Sequence, residues 1–363
     1  VSIQAVFVME QHIGHRTFAQ NLHRYIATDM RIRGAWIPIT YHQPNGIWER
    51  MSFLSAKMRG TMRGRAQARN ALAQAYDVAF FNTQVPAALA GGLIFSKPYV
   101  ISTDITPLQY DRMGGRYGHR AEQFGLLRDY KHRANMRVFH RAAFIAPWST
   151  WAAQSLIEEY RVDPSRIQIV PPGVDMSIWK PVEKKFDDGK LHILFVGGDL
   201  ERKGGMDLLQ AFDIFRRKMP NVPVQLDMVT RSPSPQAPNV IGYHNLQAND
   251  PRLIDLYQKC DFFVLPSRAE AFGIAAIEAS AVGLPIITTQ VGGLSDVTSH
   301  GKTGFLISPG DINTLVDRMI ILANDSALRH QMGQAARLRA LAKFDAEKNA
   351  ARIVEMILKA SRQ

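Results

Sequence analysis

The chain has 363 residues, 46% of them hydrophobic and 21% charged, which is enough for two globular domains each with its own core. That composition excludes a disordered polymer, and no apolar run approaches the ~18 uninterrupted residues of a membrane-spanning helix. The net charge of +12 is lopsided: residues 1–180 hold 22 Lys/Arg against 12 Asp/Glu and residues 181–363 hold 22 against 20, so one half is suited to an anionic surface.

The first element, "IQAVFVM" (3–9), has neither a basic start nor a small-residue cleavage site around it. It reads as a strand, not an export signal. Further strands are predicted at "GAWIPI" (34–39), "DVAFFN" (77–82), "KPYVIST" (97–103) and "AAFIAPW" (142–148). The second half adds "LHILFVG" (191–197), "VPVQLDMV" (222–229), "DFFVLP" (261–266), "LPIITT" (284–289) and "TGFLIS" (303–308). Short runs of Val, Ile and Phe between turn formers favour strands buried on both faces, and the helical patterns between them favour βαβ units. The expected architecture is α/β, with two Rossmann-like doubly wound parallel-sheet domains facing a cleft. A break falls in "IVPPGVDMSIWKPVEKKFDDGK", a linker at roughly 171–190, so the domains are expected at 1–175 and 190–345. The lone Cys260 excludes an internal disulfide and fits a reducing cytosol.

Within the basic half, "FLSAKMRGTMRGRAQAR" (53–69) spaces Leu54, Met58 and Met62 four apart among Lys57, Arg59, Arg63, Arg65 and Arg69. A basic helix with an apolar stripe can lie on anionic lipid. It can equally dock that stripe on the sheet, and Gly60 and Gly64 weaken any helix here. Lys57, Arg59 and Arg63 are the acceptor- or membrane-facing candidates. A second basic cluster is "RDYKHRANMRVFHR" (128–141). Neither interleaves aromatics with cations as a nucleic-acid platform would.

The chemistry-bearing residues concentrate in the second half. In "SRAEAFGIAAIEASAVGLPIITTQVGG", Glu270 and Glu278 stand eight apart with Phe272-Gly273 between them. After the strand 261–266, "SRAEAFG" reads as a loop and "IAAIEASAV" as a helix, so Gly273 lies at a helix entrance, where free amides and the helix dipole favour an anion. Two carboxylates flanking such a site suit a ligand with phosphates in the middle and hydroxyls at both ends, as in a nucleotide sugar. The plainer alternative is a solvated helix residue and a first-turn carboxylate, which the surrounding Ala, Ile, Val and Gly disfavour. In "ILFVGGDLERKGGMDLLQAF" (193–212) a buried strand ends in Gly197-Gly198, and Arg202-Lys203-Gly204-Gly205 leads into a helix. Glycines there let backbone approach a ligand, and the cations can neutralise a diphosphate. Both loops follow strands of one half and should open on the same sheet edge.

With "PPGVD" (171–175) and "GLPIITTQVGGLSDVTSHGKTGFLI", these stretches resemble glycosyltransferase family 4, the retaining nucleotide-sugar transferases with the GT-B fold. The resemblance is specific over roughly 171–310. It implies that Arg202 and Lys203 bind the donor diphosphate, that Glu270 contacts the transferred sugar and that Glu278 holds the ribose hydroxyls. It also implies that the amides of Phe272, Gly273 and Ile274 meet phosphate or sugar, with Gly198 and Arg231 close to the nucleotide. In "VMEQHIGHRTFAQNL", Gly14 takes the family's glycine in the first strand-to-helix loop, with His12 and His15 beside it. The final segment, 346–363, is expected to cross back to the first domain as in relatives. One departure stands out: the family often has a histidine after the strand matching "KPYVISTDITP", and here Thr103-Asp104 occupies the place. Asp104 is the catalytic candidate of this half, and "QYDRMGGRYGHR" (109–120) reads as a Gly-rich acceptor loop.

Rival motifs fail. No G-x-G-x-x-G follows a strand, and "SHGKT" has Asp296 where a P-loop needs its first glycine. No D-x-D pair or His/Cys cluster implies a metal, so no cofactor is expected. The reading is transfer of a sugar from a nucleotide diphosphate donor to a sugar, polysaccharide or lipid-linked acceptor hydroxyl, in the cytoplasm or peripherally on the membrane's inner face, without nucleic acid. Its alternatives are a nucleotide-sugar epimerase of the same fold and a non-catalytic lipid- or nucleic-acid-binding module.

Overall fold

The structure, a computed structural model, describes residues 2–11, 13–44, 46–119, 125–182, 188–233 and 236–363. The chain divides into two compact α/β units. The first comprises Val1–Arg112, Arg120–Gly173 and Ala346–Gln363, and the second comprises Met113–His119 and Val174–Asp345.

The first unit holds a parallel sheet of β1 (Ile3–Glu10), β2 (Ile32–Ile39), β3 (Val78–Phe81), β4 (Tyr99–Thr103) and β5 (Phe144–Pro147), in the order β2-β1-β3-β4-β5. Alternation along β1 sends Val6 and Val8 to one face, where the helices Ala56–Ala71, Gln84–Ala90 and Leu126–Arg141 cover them with Ala68, Ala87 and Phe139. Phe7 points the other way and stacks on Trp36 at 4.0 Å. The helix Ala346–Ala360 packs on the helix Ile13–Ile26 and on β3, β4 and β5 of this unit. Asn349 and Arg352 of that helix donate to the carbonyls of Pro171 and Ile169.

The second unit holds β6 (Leu191–Val196), β7 (Val224–Val229), β8 (Val240–Tyr243), β9 (Phe262–Leu265), β10 (Ile286–Thr289) and β11 (Gly304–Ile307), all parallel, in the order β11-β10-β9-β6-β7-β8. The direction of winding reverses between β6 and β9, and that reversal is where doubly wound sheets open a crevice at their carboxyl edge. Every strand predicted from the sequence is present to within two residues at either end. The addition is β8, an edge strand of partly exposed residues that offers no continuous apolar run.

Three expectations need correction. The helix Ala56–Ala71 does not dock through its Leu/Met stripe: its buried face is Gly60, Arg63, Gly64, Ala68 and Ala71. A Cβ at Gly60 would lie 2.9 Å from the Tyr41 carbonyl oxygen, and one at Gly64 would lie 2.5 Å from the Tyr41 ring. The glycines that seemed to weaken the helix are its contact surface. Arg63 is likewise not at the surface; its side chain is 4% exposed and forms a fork with Glu49, which holds that carboxyl down at about 2. Arg59 is also engaged, donating to the carbonyls of Met51 (3.3 Å) and Leu54 (2.9 Å), so Lys57 alone of the three candidate cations projects freely. Finally, Met113–His119 of the Gly-rich segment belongs to the second unit and not to the first, and Arg120 of that segment lies outside the described residues.

Candidate active site

The carboxyl edge of the second sheet gathers the loops after its two central strands. After β6, Gly197-Gly198 leads into a turn in which Asp199 Oδ1 accepts from the Arg202 amide at 3.0 Å. The turn closes at Gly204, whose φ of +72° is left-handed. A side chain there has no room, because a Cβ would sit 2.0 Å from the carbonyl oxygen of Pro266 in the loop after β9. The two loops also share a backbone bond, Arg268 N–H to the Arg202 carbonyl at 2.9 Å, and a fork from Arg268 to Asp207 at 2.8 and 2.5 Å.

That seam brings the sequence-predicted charges together. Lys203 Nζ pairs with Glu270 Oε2, and both side chains are largely buried. Ser267 Oγ lies 3.5 Å from the same carboxylate oxygen. Arg202 donates to the Ala269 carbonyl at 3.0 Å, and its guanidinium lies 4.6 Å from the ring of Tyr117, from the Met113–His119 segment. Gly273 caps the helix Ile274–Ala281 with φ +99°, so Phe272, Gly273 and Ile274 stand at the helix entrance as expected from the loop-helix pattern. Gly292, φ +53°, lies so close under Glu270 that a Cβ would be 1.8 Å from the Glu270 carbonyl oxygen. Gly198 touches Arg231: a Cβ on it would meet the guanidinium at 2.7 Å. Beside this turn opens a cavity of about 460 Å³ lined by Asp199, Leu200, Glu201, Met206, Ser232 and Arg268; the Lys203–Glu270 pair is not on its wall.

Glu278 is brought to the same helix but not to the same cluster. It is buried and accepts a 2.9 Å bond from the hydroxyl of Tyr257, on the helix Pro251–Lys259. Burial pushes its carboxyl up to about 7, and the Tyr257 bond only partly opposes that. No pattern in the sequence singles out Tyr257 or Ser267. Tyr257 sits in an amphipathic helix, where it reads as a core residue, and its partner is 21 positions away.

In the first unit, Gly14 is not a loop residue: it lies in the first turn of the helix Ile13–Ile26. His12 lies outside the described residues. Asp104, after β4, faces His15, with His15 Nε2 3.4 Å from Asp104 Oδ1. Burial tends to lower the His15 pKa, yet the Asp104 carboxylate, helped by Glu10, outweighs it and leaves the imidazole raised. His15 Nδ1 is buried without a partner, against the Trp148 ring at 5.0 Å. Nearby, Glu10 accepts from the Tyr41 hydroxyl at 2.9 Å, and its backbone pairs twice with the Asn82 side chain. These groups lie at the ends of neighbouring parallel strands, so the first sheet also concentrates its polar side chains at its carboxyl edge.

The fold and the matched sequence point to one class of protein. The fold is that of the GT-B glycosyltransferases, and residues 239–339 match the family model described as glycosyl transferases group 1. Among particular relatives, the chain is 31% identical over 230 residues to a D-inositol 3-phosphate glycosyltransferase of Pseudarthrobacter chlorophenolicus, covering 55% of this chain and 51% of that protein. The chain thus spans about half the length of the curated relatives it matches. Two solved structures share its fold over nearly the whole length. They are sucrose-phosphate synthase from Thermosynechococcus elongatus (TM-score 0.80, 16% identity, 99% of both chains) and Anabaena HepE in complex with UDP-glucose (TM-score 0.68, 17% identity, 98% and 100%).

Proposed function

We propose that the chain is a glycosyltransferase that moves a sugar from a nucleotide diphosphate donor to an acceptor hydroxyl, with retention of anomeric configuration. The observation that carries this reading is the Lys203–Glu270 pair, held at the switch point of the second sheet between a left-handed glycine turn and a glycine-capped helix. Positive charge, open backbone and a helix entrance in one place favour a diphosphate, and a carboxylate beside them can accept from sugar hydroxyls. Lys203 and Arg202 then stabilise charge on the departing nucleotide, and with these cations the chemistry requires no metal. Glu278 accepts from the ribose diol, and Arg231 stands on the base side of Gly198. The acceptor, a sugar or a lipid-linked glycan, belongs to the first unit, where Asp104 and His15 contact its hydroxyl side. Retention rests on the family resemblance, and the UDP-glucose complex of HepE favours a UDP sugar as donor.

A thermal-shift series against UDP, GDP, ADP and dTDP sugars, followed by turnover with and without acceptor, tests the proposal. Stabilisation by one donor and acceptor-dependent release of its nucleotide are expected. Isomerisation of the donor without acceptor would replace this reading by an epimerase, and indifference to every nucleotide sugar would remove it.

A further inference from the structure

The first unit carries an apolar and basic surface that its own packing leaves uncovered. Because the helix Ala56–Ala71 seats itself through Gly60 and Gly64, its Met58 and Met62 point outward, 52% and 39% exposed. Phe53, just before the helix, is 82% exposed. Its loop is fixed, since Arg59 clips the carbonyls of Met51 and Leu54 and Ser55 caps the helix by accepting from the Met58 amide. Lys57 and Arg65 project among these apolar groups.

A neighbouring helix repeats the pattern. Leu126–Arg141 shares the helix Gln84–Ala90 as a packing neighbour with Ala56–Ala71. Its first turns expose Leu126, Leu127 and Tyr130 beside the exposed Arg128 and Lys131. Each of these helices follows a strand of one parallel sheet, so their N-terminal turns lie toward the same carboxyl edge. Across residues 53–65 and 126–131 the one acidic side chain is Asp129. Large apolar side chains standing in solvent among cations are the pattern that inserts between headgroups while neutralising them.

We propose that this edge docks on an anionic lipid bilayer, the apolar tips entering the headgroup region and Lys57 and Arg65 meeting lipid charge. A bilayer fits better than a nucleic acid, because within residues 53–65 and 126–131 the aromatic rings are Phe53 and Tyr130 alone, and they do not alternate with the cations. The surface stands on its own geometry. That it delivers a membrane-borne acceptor to the first sheet rests on the sugar-transfer reading.

Co-sedimentation of the full chain with vesicles of phosphatidylcholine, alone or mixed equally with phosphatidylglycerol, tests this. Binding to the mixed vesicles only, weakening with salt, is expected. Lys57→Ala with Arg65→Ala lowers partitioning roughly 25-fold, at about five-fold per cation. Phe53→Glu with Met58→Glu abolishes it. In both double variants the melting temperature and the stabilisation by nucleotide diphosphate stay at wild-type values. Equal binding to neutral vesicles, wild-type partitioning of either variant, or retention of single-stranded RNA in place of vesicles overturns the proposal. Vesicle binding without any nucleotide binding supports the surface and overturns sugar transfer; nucleotide binding without vesicle binding does the reverse.

Discussion

Lys203 Nζ and Glu270 Oε2 form an ion pair whose side chains are 15% and 8% exposed, 67 positions apart in sequence. Two adjacent strands and one glycine seam bring them together. A charge pair this sheltered is worth little against a hydrophobic substitute, but losing one partner strands the other away from water. Lys203→Ala should therefore lower stability by ~3 kcal/mol as well as end transfer. Glu270→Gln also strands a charge, the Lys203 ammonium, but keeps a side-chain oxygen to accept from it, so it should stop transfer with a smaller shift in melting temperature. Denaturation curves of both variants with their turnover decide this; equal, near-wild-type melting would show that the pair is not buried in solution.

Gly204→Ala tests the seam. The new methyl would lie 2.0 Å from the Pro266 carbonyl oxygen at a φ of +72°, so the loops must part. Backbone strain alone accounts for about 1–3 kcal/mol. Donor affinity should fall at least ten-fold by calorimetry, although no charge has been altered. Unchanged affinity would mean that the turn can move without disturbing the site.

Glu278 makes stability fall as pH rises. Its carboxyl is near 7 in the fold and near 4.5 when exposed, so between those values the folded chain holds a proton that the unfolded chain has released. The contribution is complete below about pH 4.5 and lost by pH 7, a change of about 3 kcal/mol at most. Glu278→Gln should flatten the dependence of melting temperature on pH across that window. In the proposed function the ionised form accepts from the ribose diol, so nucleotide affinity should rise through pH 7 in the wild type and stay flat in the variant. Parallel pH profiles for the two proteins would sink this assignment.

His15 and Asp104 act with the same sign over a higher window. The imidazole is raised, so the stability that the pair supplies is present below about 6.5 and lost as pH climbs through the folded value. Asp104→Asn removes the main counter-charge and leaves burial in control, which should drop the His15 pKa below its ordinary value. Proton NMR of the imidazole reads this directly. An unmoved titration would show that Asp104 does not govern His15.

The sheets were legible because parallel strands buried on both faces must be written as continuous apolar runs, and β8 escaped because an exposed edge strand need not be. The loop–helix boundary at Gly273 was legible for a related reason, since a glycine ahead of an alanine-rich segment marks a helix start. Side-chain partners were harder. Arg63 is a residue type that is usually solvated, and its partner, Glu49, sits in the preceding single-turn 3-10 helix Ile47–Arg50, too short to show periodicity. The direction taken by Met58 and Met62 depended on which helix face could approach Tyr41 most closely, and spacing alone treats a methionine stripe as the inner face. Gly14 was misplaced by a helix that begins one residue before it.

Tyr41 ends up with two duties. Its ring fills the notch left by Gly64, while its hydroxyl is anchored on Glu10, whose backbone is tied to Asn82 and whose charge reaches His15. Gly60 and Gly64 let the helix Ala56–Ala71 sit directly on this tyrosine, so the element that carries the outward-facing methionines and the buried carboxylate at the end of β1 share Tyr41 as a common neighbour.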